Sequence, residues 1–305
     1  MKKKKRPAKF QAMKKQGLNL KTYFITLIFL AFASSMTYGD DFKEIPSHYR
    51  PLIHRLSQDG FDFEFLSKLF TDSRVELNPV LMTIPLDSRE TKGLYAQFLS
   101  EESILLSKKF LHQNLKLLDQ MEKQFHVEKE IIVAILLVES RFGENIGKYR
   151  VIPTLSSMAL MNSADNLQKN YLTLREIDSE ISFNWIESLA KRRANWAYQE
   201  LKCFLRIIRD EKMDPLEVFG STAGALGMPQ FIPSSYIAYA LNKNGFEGWL
   251  FSIEEAIFSI GNYLKSHGWK KNLPPEKKKR ILLYYNRSIP YVETILQVAQ
   301  KIKQK

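Results

Sequence analysis

The sequence predicts a mainly α-helical protein, and three observations carry that reading. Beyond residue 40, apolar residues recur at the spacing that lines one face of a helix. Prolines and glycines such as Pro46, Pro51, Gly60, Pro79 and Pro85 cut residues 40–115 into short elements. The glycine patterns of P-loop and dinucleotide-binding α/β sheets are missing, and so is any internal repeat. Aromatics make up 12% of 305 residues, enough for a sizeable core and too many for a disordered chain.

In chain order, Arg50 to Leu56 and Phe63 to Phe70 carry helix-spaced apolar residues. Ser100 to Phe125 reads as one longer amphipathic helix, with Ile104, Leu105, Phe110, Leu111, Leu115, Leu118 and Phe125 near one face. Val127 to Phe142 reads as a buried helix, stopped by Gly143. Residues 150–165 look polar and small, with Pro153 as a breaker. Tyr171 to Arg209 predicts two helices. The segment Gly220 to Pro233 holds too much glycine and proline to be a regular helix throughout. Ser252 to His267 and Lys279 to Tyr285 return to helical spacing, and Pro290 introduces a last helix with a lysine-rich end.

Charge points to export rather than to nucleic acid. The net charge is +12, but residues 1–39 hold nine Lys and Arg and no acid, so without them it is +3. The mature basic residues, such as Lys277 to Arg280, read as a solvated face or as contacts with an anionic wall; no nucleic-acid partner is expected. A basic start, the apolar stretch Tyr23 to Ala33 and small residues at Ala31-Phe32-Ala33 or Thr37-Tyr38-Gly39 give 1–39 the form of a signal peptide. The apolar stretch is short for a membrane span, although the long basic start keeps an uncleaved N-terminal anchor open. The expectation is an exported, periplasmic protein, touching the inner membrane only through that leader. Cys203 is the single cysteine, so no internal disulfide is available. The five histidines are scattered, which removes the basis for a zinc site or a triad.

One acid stands out. Glu139 follows eight consecutive apolar residues, Ile131 to Val138. Burying an ionised carboxylate costs several kcal/mol unless it is paired or protonated, on the order of the desolvation penalty for any ion. Such a carboxyl has its pKa pushed upward and can donate a proton near neutral pH. The plainer alternative is a structural acid paired to Arg141. Glu144, beyond Gly143, reads as solvated.

Four segments belong with Glu139 when read together: Glu139-Ser140-Arg141-Phe142-Gly143; Gly224 to Pro233; Ala256 to Leu264, with Gly261-Asn262-Tyr263; and Tyr284-Tyr285-Asn286 followed by Tyr291. Their order and spacing resemble the catalytic motifs of the lysozyme-like lytic transglycosylases. The stretch Gly220-Ser221 to Gln230 and on to Tyr236, with Lys265 to Trp269, is similar to the membrane-bound lytic transglycosylase B subfamily, of the glycoside hydrolase family 103 type. The resemblance is strong from about residue 125 to 295.

It implies a lysozyme-like catalytic domain over 116–305, with 40–115 a helical N-terminal region and 150–195 a longer helical insertion. It also implies cleavage of the MurNAc-β-1,4-GlcNAc bond of peptidoglycan glycan strands, with 1,6-anhydroMurNAc ends and no cofactor. By this resemblance Glu139 is the single acid and base. Ser221 hydrogen-bonds it, Gln230 holds the carboxyl or a sugar amide, and Asn286 orients the acetamido group. Gly224 and Gly227 let backbone approach the sugar, while Tyr263, Tyr285, Tyr291 and, more loosely aligned, Trp196 offer faces for stacking. The family's acidic calcium loop corresponds here to Asn242 to Gly248, with one acid and a lysine, so no metal is expected. A muramidase that uses water, and a wall-binding scaffold without turnover, are the competing readings.

Overall fold

The computed structural model describes residues 44–84, 90–241 and 252–304. The leader 1–39, with the export expectation, and Asn242 to Gly248, with the calcium expectation, lie outside the described residues. Among the described residues, no helix is long and apolar enough to cross a membrane.

The N-terminal helices are α1 (Arg50–Gln58) and α2 (Phe63–Thr71), the latter started by Asp62, whose carboxylate accepts from the Phe65 N–H at 2.7 Å. A short α3 (Lys92–Tyr95) runs through a 3-10 turn into α4 (Glu101–Gln113), which Ser100 caps. The single helix expected from Ser100 to Phe125 is in fact two. Asn114 leaves helical geometry (φ −112°, ψ 18°), and its side-chain amide donates to the Phe110 carbonyl at 2.9 Å. An asparagine that bonds its own backbone in this way competes with the helix ladder. Helix α5 (Leu115–Phe125) then starts afresh.

Helix α6 (Lys129–Ser140) is the centre of the molecule: every residue from Ile131 to Leu137 is at most 4% exposed. A helix apolar on all sides must be enclosed on all sides. It is held by α4, α5, α11 (Ile253–Ser266) and α13 (Ile289–Lys303). Gly261 allows α11 to approach α5, since a Cβ there would lie 2.7 Å from the Phe125 ring.

Residues 150–165 depart from expectation. Val151 to Ala159 form a buried helix, α7, with Pro153 in its first turn. The first N–H groups of a helix have no intrahelical partner, so proline there removes no bond. Small Thr154, Ser156 and Ser157 are buried along α7, which packs on the long α9 (Phe183–Glu211). Between them lies α8 (Ala164–Ile177), so Tyr171 to Arg209 does hold two helices. A second apolar cluster joins Ile84 of the N-terminal region to Met161, Leu167, Leu174, Ile186, Ala190 and Ala194 of this insertion.

A two-stranded antiparallel pair, β1 (Tyr149–Arg150) with β2 (Phe219–Gly220), joins the exit of α6 to the glycine-rich segment. Gly147 makes the junction possible: its φ is +100°, and a Cβ would sit 2.0 Å from the Gly220 backbone. The chain finishes with α10 (Pro233–Tyr239), α11, α12 (Pro275–Tyr285) and α13. One apolar cluster runs from Ile45 to Ile302 without a break near residue 115.

Candidate active site

The site is built at the C-terminal end of α6. The helix stops through two successive left-handed residues, Arg141 (φ +48°) and Phe142 (φ +61°). Non-glycine residues adopt that conformation only when surroundings enforce it. Here the Phe142 ring stacks on Phe110 with centroids 4.3 Å apart, and the buried Ser140 hydroxyl accepts from the Gly143 N–H at 3.1 Å. The Arg141 guanidinium reaches Glu102 at 2.8 Å and Glu144 at 2.9 Å. It does not pair with Glu139, which removes the structural ion-pair reading of that acid.

The Glu139 carboxyl instead accepts the Tyr291 hydroxyl at 2.7 Å. The residue keeps partial exposure, but protein atoms crowd its carboxyl enough to push its pKa up to about 7. Desolvation is the largest cause; the Tyr291 bond opposes it, and the nearby negative charge of Glu90 adds to it. Burial and the Glu139 charge together hold the hydroxyls of Tyr291 and Tyr285 far above their ordinary range. Both therefore act as neutral hydrogen-bond donors.

The glycine-rich segment closes as a tight loop. Leu226 and Phe231 exchange backbone bonds at 2.8 and 3.1 Å, and the turn between them places Gly227 (φ +64°) and Gln230 (φ +50°) in left-handed geometry. Strain at Gln230 is held by its own side chain, whose amide nitrogen donates to Gly227 at 2.8 Å and Ile146 at 3.2 Å. Tyr285 ties this loop to α12 by donating to the Pro229 carbonyl at 2.6 Å, and its ring lies parallel to Tyr291 with centroids 6.4 Å apart. Glu139, Tyr291, Tyr285 and the loop of Gln230 are thus one connected group, and the half-buried Asn286 follows Tyr285 in the chain.

Other expected residues take different roles. Tyr291, 1% exposed, holds the acid rather than presenting a stacking face. Tyr263 is 5% exposed and donates to the Tyr284 carbonyl at 2.7 Å, so it buttresses Tyr285 from behind and has no face for a sugar. Ser221 does not reach Glu139; its hydroxyl accepts from the Ala223 and Ala225 N–H groups, both at 3.1 Å, and shapes the turn. Gly224 faces the core, where a Cβ would meet Leu155 at 2.9 Å. Trp196 lines a pocket of about 650 Å³ with Arg193, Met158, Met161 and, from the glycine-rich segment, Thr222 and Ala223. Asn286 ends α12 through its own N–H to Leu282 at 3.1 Å.

Sequence reasoning missed Tyr95. It is 8% exposed, meets the Tyr291 ring edge-on at 6.1 Å, and bonds Glu90 through its hydroxyl. It lies in a four-residue helix within the breaker-rich region, where no periodicity develops.

A family model described as a transglycosylase SLT domain matches residues 46–281. The chain belongs to this family. Membrane-bound lytic murein transglycosylase B of Escherichia coli K12 is 30% identical over 250 residues, which is 77% of this chain and 61% of that protein. The chain thus spans about three fifths of that relative's length. The fold is shared with soluble lytic transglycosylase SltB1 of Pseudomonas aeruginosa (TM-score 0.66, 25% identity, 84% of this chain and 98% of that one). It is also shared with SltB3 of the same organism, solved with NAG-NAM-pentapeptide (TM-score 0.65, 19% identity, 84% and 79% covered). The mainly helical, lysozyme-like expectation stands, and the matched region takes in the N-terminal helices with the rest.

Proposed function

We propose that the chain is a lytic murein transglycosylase that cleaves the MurNAc-β-1,4-GlcNAc bond of peptidoglycan. Family membership supports the class, and one local observation carries the mechanism: a carboxyl with a pKa of about 7, desolvated at the end of a buried helix and bonded by a neutral tyrosine. A group that must give a proton and then take one works best with a pKa near the working pH.

In this reading, protonated Glu139 gives its proton to the glycosidic oxygen as the C1–O bond breaks. The substrate's acetamido group supports the positive anomeric carbon, with Asn286 beside it. The resulting Glu139 carboxylate then takes the proton of the C6 hydroxyl as that oxygen bonds to C1. The 1,6-anhydro ring closes, no water is consumed, and Glu139 returns to its starting state. Gln230, fixed through its amide nitrogen, offers its oxygen to a sugar N–H or hydroxyl. Residues 116–305, together with Tyr95 and Glu90 from the N-terminal region, would make up the working unit. Export to the periplasm, where this substrate lies, is part of the same proposal.

Digestion of purified sacculi, with mass analysis of the muropeptides, tests it. Anhydro ends, lighter by one water than hydrolysed reducing ends, are expected. Reducing ends only would make the protein a muramidase, and binding without release would leave it a scaffold.

A further inference from the structure

Glu90 is a second carboxylate beside the site, and nothing in the proposed mechanism uses it. Its Oε2 accepts the Tyr95 hydroxyl. The Ser288 oxygen caps α13 by accepting the Tyr291 N–H at 3.3 Å. The Tyr95 ring meets the Tyr291 ring edge-on, and Tyr291 donates to Glu139. At the start of α3, the exposed Lys92 reaches Glu293 of α13 at 2.8 Å. The route from Glu90 to the tyrosine that holds the acid therefore runs through that ring contact.

We infer that Glu90 is a positioning residue for the reaction: by fixing Tyr95 it sets the place of Tyr291, and it puts a second negative charge near the acid. This rests on the transglycosylase reading of the site. The other groups around Glu139 do not duplicate that charge. Tyr291 of α13 and Tyr285 of α12 are neutral, and Tyr263 of α11 is turned to Tyr285. Arg141, two residues further on, is held by Glu102 of α4 and by Glu144. A carboxylate near a carboxyl disfavours ionisation of the second, so Glu90 acts with desolvation to keep the Glu139 proton in place.

The test is Glu90→Gln and Glu90→Ala in the full chain. Glutamine keeps an acceptor for Tyr95 and removes the charge; alanine removes both. Two readouts are used: the Glu139 titration by carbon-13 carboxyl resonance, which needs no turnover, and the alkaline limb of the activity profile. In Glu90→Gln both should move toward acid by on the order of half a pH unit, the size of a modest like-charge effect. In Glu90→Ala the same shift should come with a roughly tenfold further loss of rate at every pH, the cost of a displaced site. An unmoved titration in Glu90→Gln, or a uniform loss of rate in both variants, makes Glu90 merely structural and overturns the inference. Complete loss of turnover in Glu90→Gln also overturns it, by making Glu90 a reacting group. Wild type without turnover would sink the functional reading, while the titration still decides the role of Glu90.

Discussion

Helix α6 carries a glutamate at each end, and the two behave in opposite ways. Glu128 stands just before the first turn, and Glu139 in the last. Desolvation is the largest influence on both. At Glu128 it is outweighed by the Lys278 ammonium, the Trp269 indole N–H at 2.8 Å and a backbone bond, so its pKa falls below the usual range. At Glu139 the single opposing bond comes from a neutral hydroxyl, and the pKa rises to about 7. The helix dipole has the same sense, favouring an anion at the start and disfavouring one at the end. Burial alone therefore does not decide what a carboxyl does. A cation beside it makes a structural anchor, and its absence leaves a proton available for chemistry.

The largest effect that could break this contrast is at the Glu139 end. Glu139→Gln should lower glycan cleavage by about a thousandfold or more, in the upper range for removal of a general acid. Release of muropeptides from sacculi measures it. At the structural end, Lys278→Met leaves Glu128 without its cation. We expect a loss of roughly 1–3 kcal/mol in denaturant unfolding, less than a fully buried pair because both side chains are about one-fifth exposed.

The stability of the acid end should have the reverse sign. A carboxyl whose folded pKa is raised above its unfolded value stabilises the fold below the unfolded pKa, near 4.5. It loses that contribution as pH rises through about 7. Glu139→Gln should therefore be more stable than wild type at pH 8, by roughly 1 kcal/mol after allowance for its partial exposure, with the advantage gone at pH 4. Thermal melts at the two pH values check this. The smallest effect sharpens the cause: Tyr291→Phe removes the one bond that favours the carboxylate, so the alkaline limb of activity should move up by about half a pH unit.

How far the sequence foretold this depends on the range of the interactions. Helix α6 and its terminal acid were legible because eight apolar residues leave no solvated face, and the glycine segment because few folds tolerate that composition. Pro153 misled because a proline ends a helix or opens one, and only the packing of Val151 and Ile152 decides which. Asn114 breaks a helix that periodicity alone carries through. The hydroxyl partners of Tyr263 and Tyr291 were not legible for a shared reason: an aromatic reads alike in sequence whether its hydroxyl meets ligand, carboxyl or a backbone carbonyl. Tyr95 and Glu90 were invisible because they reach the site only through tertiary contacts.

The protonation state of Glu139 tests the account most directly. Isotope-edited infrared difference spectra of wild type against Glu139→Gln read it without substrate. A protonated carboxyl band that persists at pH 6 and disappears with a midpoint of about 7 is the expected result. A carboxylate already formed at pH 5 would contradict it.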